Sequence, residues 1–158
     1  MPITKQEFRN ALATFASGVT VVTAAAPDGT LYGLTVSAFC SVSLEPPLVL
    51  VCIEKTARCH DPFGQTRKLV VNVLSEDQRL VSERFATQME DKFEGMDYSL
   101  NEDGTPVLAG AVTVLECSVR DSYDGGDHTI FVLEVDRTEV AGGRPLLYFG
   151  GAYRAMNA

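Results

Sequence analysis

Residues 33–54 read GLTVSAFCSVSLEPPLVLVCIE, and the two halves of this stretch pose the question on which the fold turns. Leu48 to Ile53 is an unbroken apolar run, as expected of a strand buried in a core. Ahead of it, Thr35, Ser37, Ser41 and Ser43 are set among apolar residues, with no charge before Glu45. Small hydroxyls and accessible backbone groups therefore stand beside a core strand, with Pro46-Pro47 between the halves.

Upstream, residues 19–25 (VTVVTAA) are rich in β-branched side chains, Pro27-Asp28-Gly29 signals a turn, and Leu31 to Ser37 returns as the second strand of a hairpin. Before that, Thr4 and Glu7 form a capping box. Phe8, Ala11, Leu12 and Phe15 recur at helical spacing, which predicts an amphipathic helix over 5–16 with Gly18 as its stop. Downstream, His60–Thr66 reads as a short helix with Asp61-Pro62 at its start, and Leu69–Leu74 as a strand. Ser75 and Gln78 make a second capping box for a helix over 76–87, and 88–106 reads as loop. Ala111–Arg120, Thr129–Val135 and Leu146–Phe149 read as strands, the first two separated by the turn Asp124-Gly125-Gly126-Asp127.

The pattern predicts six or seven strands and two or three short helices, joined mostly by hairpins and loops. That disfavours a doubly wound parallel sheet and favours a mainly β protein, an antiparallel barrel with peripheral helices. With 158 residues, 46% of them hydrophobic, and no repeat or linker, a single domain over 1–158 is expected. The net charge of −8 argues against nucleic acid or an anionic membrane as main partner. No apolar run approaches the roughly 18 residues of a membrane span. No signal-peptide pattern is evident in MPITKQEF, and Cys40, Cys52, Cys59 and Cys117 lack metal-ligand spacing, so no metal site is expected. These features read as reduced cysteines in a cytoplasmic protein.

Neither GxGxxG nor GxxxxGK[ST] occurs, and there is no GxSxG elbow. A phosphate can still be held by backbone N–H groups, hydroxyls and one or two cations. Thr35 to Ser43 and Lys55-Thr56-Ala57-Arg58 suit that task, although the serines could equally satisfy backbone groups at a bend and the cations be solvated surface. His128, after Gly-Gly-Asp, either meets a ligand or caps its turn, with Asp127 orienting the ring or serving the turn. Tyr153 either walls a pocket or anchors the C-terminal segment.

Seven segments appear in order: FASGVTVVTA, then residues 33–53, then VNVLSEDQ with RFA, DKFEG, GTPVLAGAVTVLEC, GGDHTIFVLEV and PLLYFGGAY. Taken together they resemble the short-chain flavin reductases, small NAD(P)H:flavin oxidoreductases that supply reduced flavin to two-component monooxygenases. The resemblance implies an FMN-binding type of split β-barrel, a homodimer, FMN (or FAD) as flavin, NADH or NADPH as hydride donor, and a flavin-dependent monooxygenase as partner. It implies that Thr35, Val36, Ser37 and Ala38 run beside the isoalloxazine, with Ser41 and Ser43 near the ribityl chain or phosphate. Glu54, Lys55, Thr56, Ala57 and Arg58 would close over the phosphate, Thr56, Ala57 and Cys59 standing where the family loop often has serines. Lys92 and Phe93 would form another flavin-contacting corner. His128 would serve the nicotinamide cofactor as the catalytic residue, with Gly150, Gly151 and Tyr153 on the nicotinamide side. Other readings are a non-catalytic FMN-binding sensor or storage module, and a pyridoxamine-phosphate-oxidase-like enzyme, which would be expected to present more Arg and Lys.

Overall fold

In the computed structural model, which describes residues 2–157, the first capping box forms as expected. The Thr4 hydroxyl accepts the Glu7 N–H at 3.1 Å, and the Glu7 carboxylate accepts the Thr4 N–H at 2.8 Å. The helix, α1 (Lys5–Leu12), stops four residues short of the expected 16. Thr14 explains the early end, because its hydroxyl donates to the Ala11 carbonyl at 2.7 Å and competes with the next helical turn. Gly18 is not a helix stop but part of a short strand, β1 (Ser17–Gly18).

The chain then runs through β2 (Thr20–Ala25), β3 (Leu31–Val36), β4 (Phe39–Ser43), β5 (Leu48–Glu54), α2 (His60–Gln65) and β6 (Lys68–Val73). The single helix expected over 76–87 is a 3-10 turn, Glu76–Gln78, followed by α3 (Arg79–Phe85). The region expected to be loop contains β7 (Tyr98–Leu100), which pairs with β8 (Pro106–Leu108). Two 13-residue strands follow, β9 (Thr113–Gly125) and β10 (His128–Val140), and then β11 (Leu147–Phe149) and β12 (Ala152–Arg154). Seven strands make one antiparallel sheet in the order β3-β2-β6-β9-β10-β5-β4, while β1, β11 and β12 form a small second sheet. The hydroxyl-rich half of the opening stretch is thus divided between the end of β3, the joint Ser37-Ala38 and a separate strand, β4, on the other edge of the main sheet. Fold class is mainly β with short helices, and among the described residues no helix is long and apolar enough to cross a membrane.

Burial on both faces accounts for the absence of charged residues from β2 (TVVTAA), whose two threonines bond to the Val36 and Pro106 carbonyls. Val22 and Ala24 point into one core with Val36, Val51, Ile53, Phe63, Val71, Phe131 and Leu133. Val21 points the other way, into a second core with Val19, Leu74, Phe85, Phe93, Leu108 and Leu146. A strand covered on both sides loses the polar alternation of a half-exposed one. Asn72, fully buried, donates to the Val21 carbonyl at 2.9 Å and accepts the Leu108 N–H at 3.0 Å, which fixes the β7–β8 hairpin on the sheet. The two edges of the sheet, β3 and β4, are consecutive in the chain and joined only by Ser37-Ala38, which make a corner between them.

Candidate functional site

That corner is tied down through its carbonyls. The Ser37 carbonyl accepts the Phe39 N–H at 2.9 Å, and the Ala38 carbonyl accepts the Cys52 N–H at 3.0 Å. The amides of Ser37 and Ala38 make no backbone hydrogen bond among the described residues, and both side chains are small and exposed. Two donors are therefore presented on a surface that a flat ring can approach. The neighbours are committed differently. Val36 is buried in the core, and the Thr35 hydroxyl donates to the Ser82 carbonyl at 2.6 Å, fastening β3 to α3. Ser82 in turn shares a hydrogen bond with the Tyr153 hydroxyl at 2.7 Å, and the Arg79 guanidinium lies 5.5 Å from the Tyr153 ring centre. Tyr153 therefore anchors β12 to α3 and stands behind Thr35.

At the end of β5, Glu54 lies opposite His128 in the ladder, and the Lys55 N–H donates to the Asp127 carbonyl at 2.9 Å. The register thus brings residues 54–58 to the tip of the β9–β10 hairpin. The loop folds on itself, with the Ala57 N–H bonded to the Glu54 carbonyl at 3.0 Å. The N–H groups of Thr56 and Arg58 make no backbone hydrogen bond among the described residues. The Lys55 ammonium is paired with the Asp124 carboxylate, whereas the exposed Arg58 reaches only the Gln88 carbonyl, at 3.4 Å. Hydrogen bonding and charge from Lys55 hold the Asp124 carboxyl below its ordinary range. The hydrogen bond between Asp127 and His128 Nδ1, 2.6 Å, and the imidazole's charge do the same for Asp127. Asp127 thus orients the His128 ring, which is 40% exposed.

Lys92 and Phe93 line a small pocket beside the loop, together with Gly33, Arg58 and Cys59. Lys92 is 7% exposed, and its Nζ donates to the carbonyls of Gly33 and Phe85, each at 2.9 Å. The amine thereby joins β3 to the last residue of α3. Burial pulls its pKa below the usual lysine value. The buried Cys59 thiol donates to the same Gly33 carbonyl at 3.3 Å, and burial pushes its pKa up. Phe93 is buried edge-on against Phe85, ring centres 5.1 Å apart. Gly33 is required at this point, because a Cβ there would stand 2.5 Å from the Phe85 ring.

Ser41 and Ser43 lie along β4 opposite Val49 and Leu48. At about 3.3 Å per residue they are roughly 17 and 20 Å along the sheet from Glu54, outside the group formed by the corner, the loop and His128. Gly150 and Gly151, both at positive φ, make the β11–β12 turn, and the Gly150 N–H donates to the Ala13 carbonyl at 2.9 Å. They position the end of α1. Sequence reading missed Ser82 and Asp124. The first gave no signal beyond a helix position, and the second was visible only as a turn former.

Corner, loop and hairpin tip define a mainly β protein with unbonded amides, an exposed guanidinium and an oriented imidazole at one end of its sheet. Residues 12–157 match the flavin reductase like domain family, and the chain belongs to that family. It is 44% identical over 148 residues to the FMN reductase (NADH) SmoA of Agrobacterium fabrum, covering 94% of this chain and 84% of that protein. It is 43% identical to the reductase component of the 4-nitrophenol 4-monooxygenase/4-nitrocatechol 2-monooxygenase of Rhodococcus opacus, covering 96% of this chain and 81% of that one. Among solved structures, the NADH:FAD oxidoreductase SgcE6 of Streptomyces globisporus C-1027, in complex with NAD and FAD fragments, superimposes with a TM-score of 0.91 at 36% identity, covering 99% of this chain and 98% of that one.

Proposed function

We propose that the protein is an NAD(P)H:flavin oxidoreductase that reduces FMN, or FAD, and passes the reduced flavin to a partner monooxygenase. The observation that carries this reading is the near full-length identity with an NADH-dependent FMN reductase and with a monooxygenase reductase component. The rim fits a flavin. Ser37 and Ala38 offer amide donors without side-chain bulk, and the Thr56 and Arg58 amides with the Arg58 guanidinium offer a phosphate cradle. Bound flavin supplies the hydride-accepting ring, and the nicotinamide supplies the hydride. The chain's own task is to set the two rings face to face, where proximity is the main source of acceleration. Amides of the corner donate to the ring edge on which negative charge accumulates during reduction. His128, held by Asp127, hydrogen-bonds the dinucleotide.

Two finer features belong to the same proposal. A split barrel is supported by the bond from the Cys59 thiol, beyond the end of β5, to the Gly33 carbonyl of the edge strand β3. A homodimer is supported by unfilled apolar surface. Leu50, Cys52, Ile130 and Val132 form an outward-facing patch across β5 and β10, and Phe8 and Leu12 of α1, with Phe15 just beyond it, are exposed apolar side chains.

A steady-state assay of NADH and NADPH against FMN, FAD and riboflavin tests the function, read as loss of the NADH absorbance. Turnover with added free flavin is expected, with His128→Ala raising the KM for the dinucleotide about fivefold, and that for FMN little. Flavin binding without dinucleotide oxidation would instead establish a binding module.

A further inference from the structure

Lys55 is the cation expected to meet the flavin phosphate, yet its ammonium is occupied by Asp124, 69 residues away on the β9–β10 hairpin. The pair is solvent-facing, with side chains 41% and 80% exposed. Exposed ion pairs of this kind are weak and readily exchanged. Around it, the Lys55 N–H stays bonded to the Asp127 carbonyl and Glu54 stays opposite His128, so the backbone of the loop is held whether or not the ammonium is paired. Arg58, three residues on, makes no salt bridge among the described residues. The loop thus carries one cation that is free and one that is blocked by an internal anion.

We propose that Asp124 is a specificity-determining residue that competes with the ligand phosphate for Lys55. Resting on the flavin reading above, this assigns Asp124 as a built-in mimic of the phosphate. The carboxylate keeps Lys55 pointed at the hairpin until a phosphorylated flavin replaces it. The exchange lowers the net affinity for FMN, because every binding event must first break the pair. A reductase that hands its product to another protein gains from such a handicap, since weaker retention speeds release. The handicap applies to the phosphate alone. Riboflavin, which lacks one, gains nothing from displacing Asp124.

The test measures binding of FMN and of riboflavin by flavin fluorescence at low and high salt, in the wild-type protein and in Asp124→Asn, Lys55→Ala and Asp121→Asn. The expected result is a Kd for FMN lowered about two- to fivefold by Asp124→Asn, shrinking at high salt, with riboflavin unchanged. Asp121→Asn, an exposed carboxylate on the same strand, should alter neither. Structural damage would weaken binding, so a gain in affinity cannot come from it. FMN binding unchanged or weakened by Asp124→Asn, in a protein where Lys55→Ala still weakens FMN relative to riboflavin, would overturn the competition and leave the phosphate loop standing. FMN binding indifferent to Lys55→Ala would instead show that Lys55 does not meet the phosphate, and the competition would fall with it.

Discussion

Lys92 and Lys55 invite comparison, because both were expected at the flavin and they ended in opposite surroundings. Lys92 is buried between β3 and α3, with two backbone carbonyls as its acceptors. Lys55 stands at the rim with a carboxylate partner in water. The difference is one of consequence. Removing the buried amine takes the side-chain donor from the Phe85 carbonyl and leaves the Gly33 carbonyl only the weaker Cys59 thiol, whereas removing the exposed one returns every group to solvent. An interior cation of this kind builds the platform, and a rim cation is available to exchange partners. The corner Ser37-Ala38 can present its amides only if β3 is fixed at Gly33, which is where Lys92 and Cys59 both bond.

The largest expected effect therefore lies in the interior. Lys92→Ala should lower unfolding stability by about 2–4 kcal/mol, since two charge-assisted hydrogen bonds and the packing of the buried side chain are lost. In the protein that remains folded, the Kd for FMN should change by less than about threefold, the size expected when no direct contact is lost. Denaturant titration alongside flavin binding separates the two. A variant of normal stability that has lost FMN would return Lys92 to the ligand and dissolve the contrast.

The interior also governs the response to alkali. Burial, with the charges of Asp136 and Glu116, pushes the Cys117 thiol up to about 12. A thiol pKa raised in the folded state contributes stability that is fully present below the ordinary value near 9. That stability is lost as pH rises through the window up to about 12, by as much as about 1.4 kcal/mol per pH unit. Lys92 acts with the opposite sign, because its depressed pKa means that the cost of burying the ammonium fades as pH rises toward the normal lysine value. Cys117→Ala should flatten the fall of stability above pH 9, and Lys92→Ala should steepen it. Equal slopes in the two variants and the wild type would show that the interior does not titrate as described. The rim responds at the other end of the scale, since Asp124 and Asp127 have depressed pKa values and their contribution is lost only as pH falls below the ordinary aspartate range.

The same contrast explains what could be read from sequence. Both capping boxes, the β2–β3 hairpin and the core strand β5 were legible because local chemistry and periodicity suffice for them. Strand β4 was not, since at a sheet edge its exposed serines and Val42 show no clean alternation. The corner and the loop were legible as polar groups next to a core strand. Lys92 was legible as part of a motif, but DKFEG says nothing about which way its lysine points, and its bonds to the Gly33 and Phe85 carbonyls follow only from the packing of α3 on β3. Asp124 was invisible as a partner of Lys55, since only the register of β5 on β10 brings the two together.

The smallest expected effect tests the edge of the site. The resemblance to flavin reductases put Ser41 and Ser43 near the ribityl chain or phosphate, but the β4–β5 register sets them opposite Val49 and Leu48, away from the 54–58 loop. A hydroxyl that contacts ligand is worth about 1 kcal/mol, or roughly fivefold in Kd, while an exposed hydroxyl with no contact is worth almost nothing. Ser41→Ala and Ser43→Ala should accordingly leave the Kd for FMN within about 1.5-fold of wild type, against a loss of roughly fivefold or more for Arg58→Ala. A loss of fivefold at Ser41 would mean that the ligand lies along the edge strand, with its phosphate far from the hairpin tip. The rim would then be divided between two sites, and His128 would face a part of the flavin other than its ring.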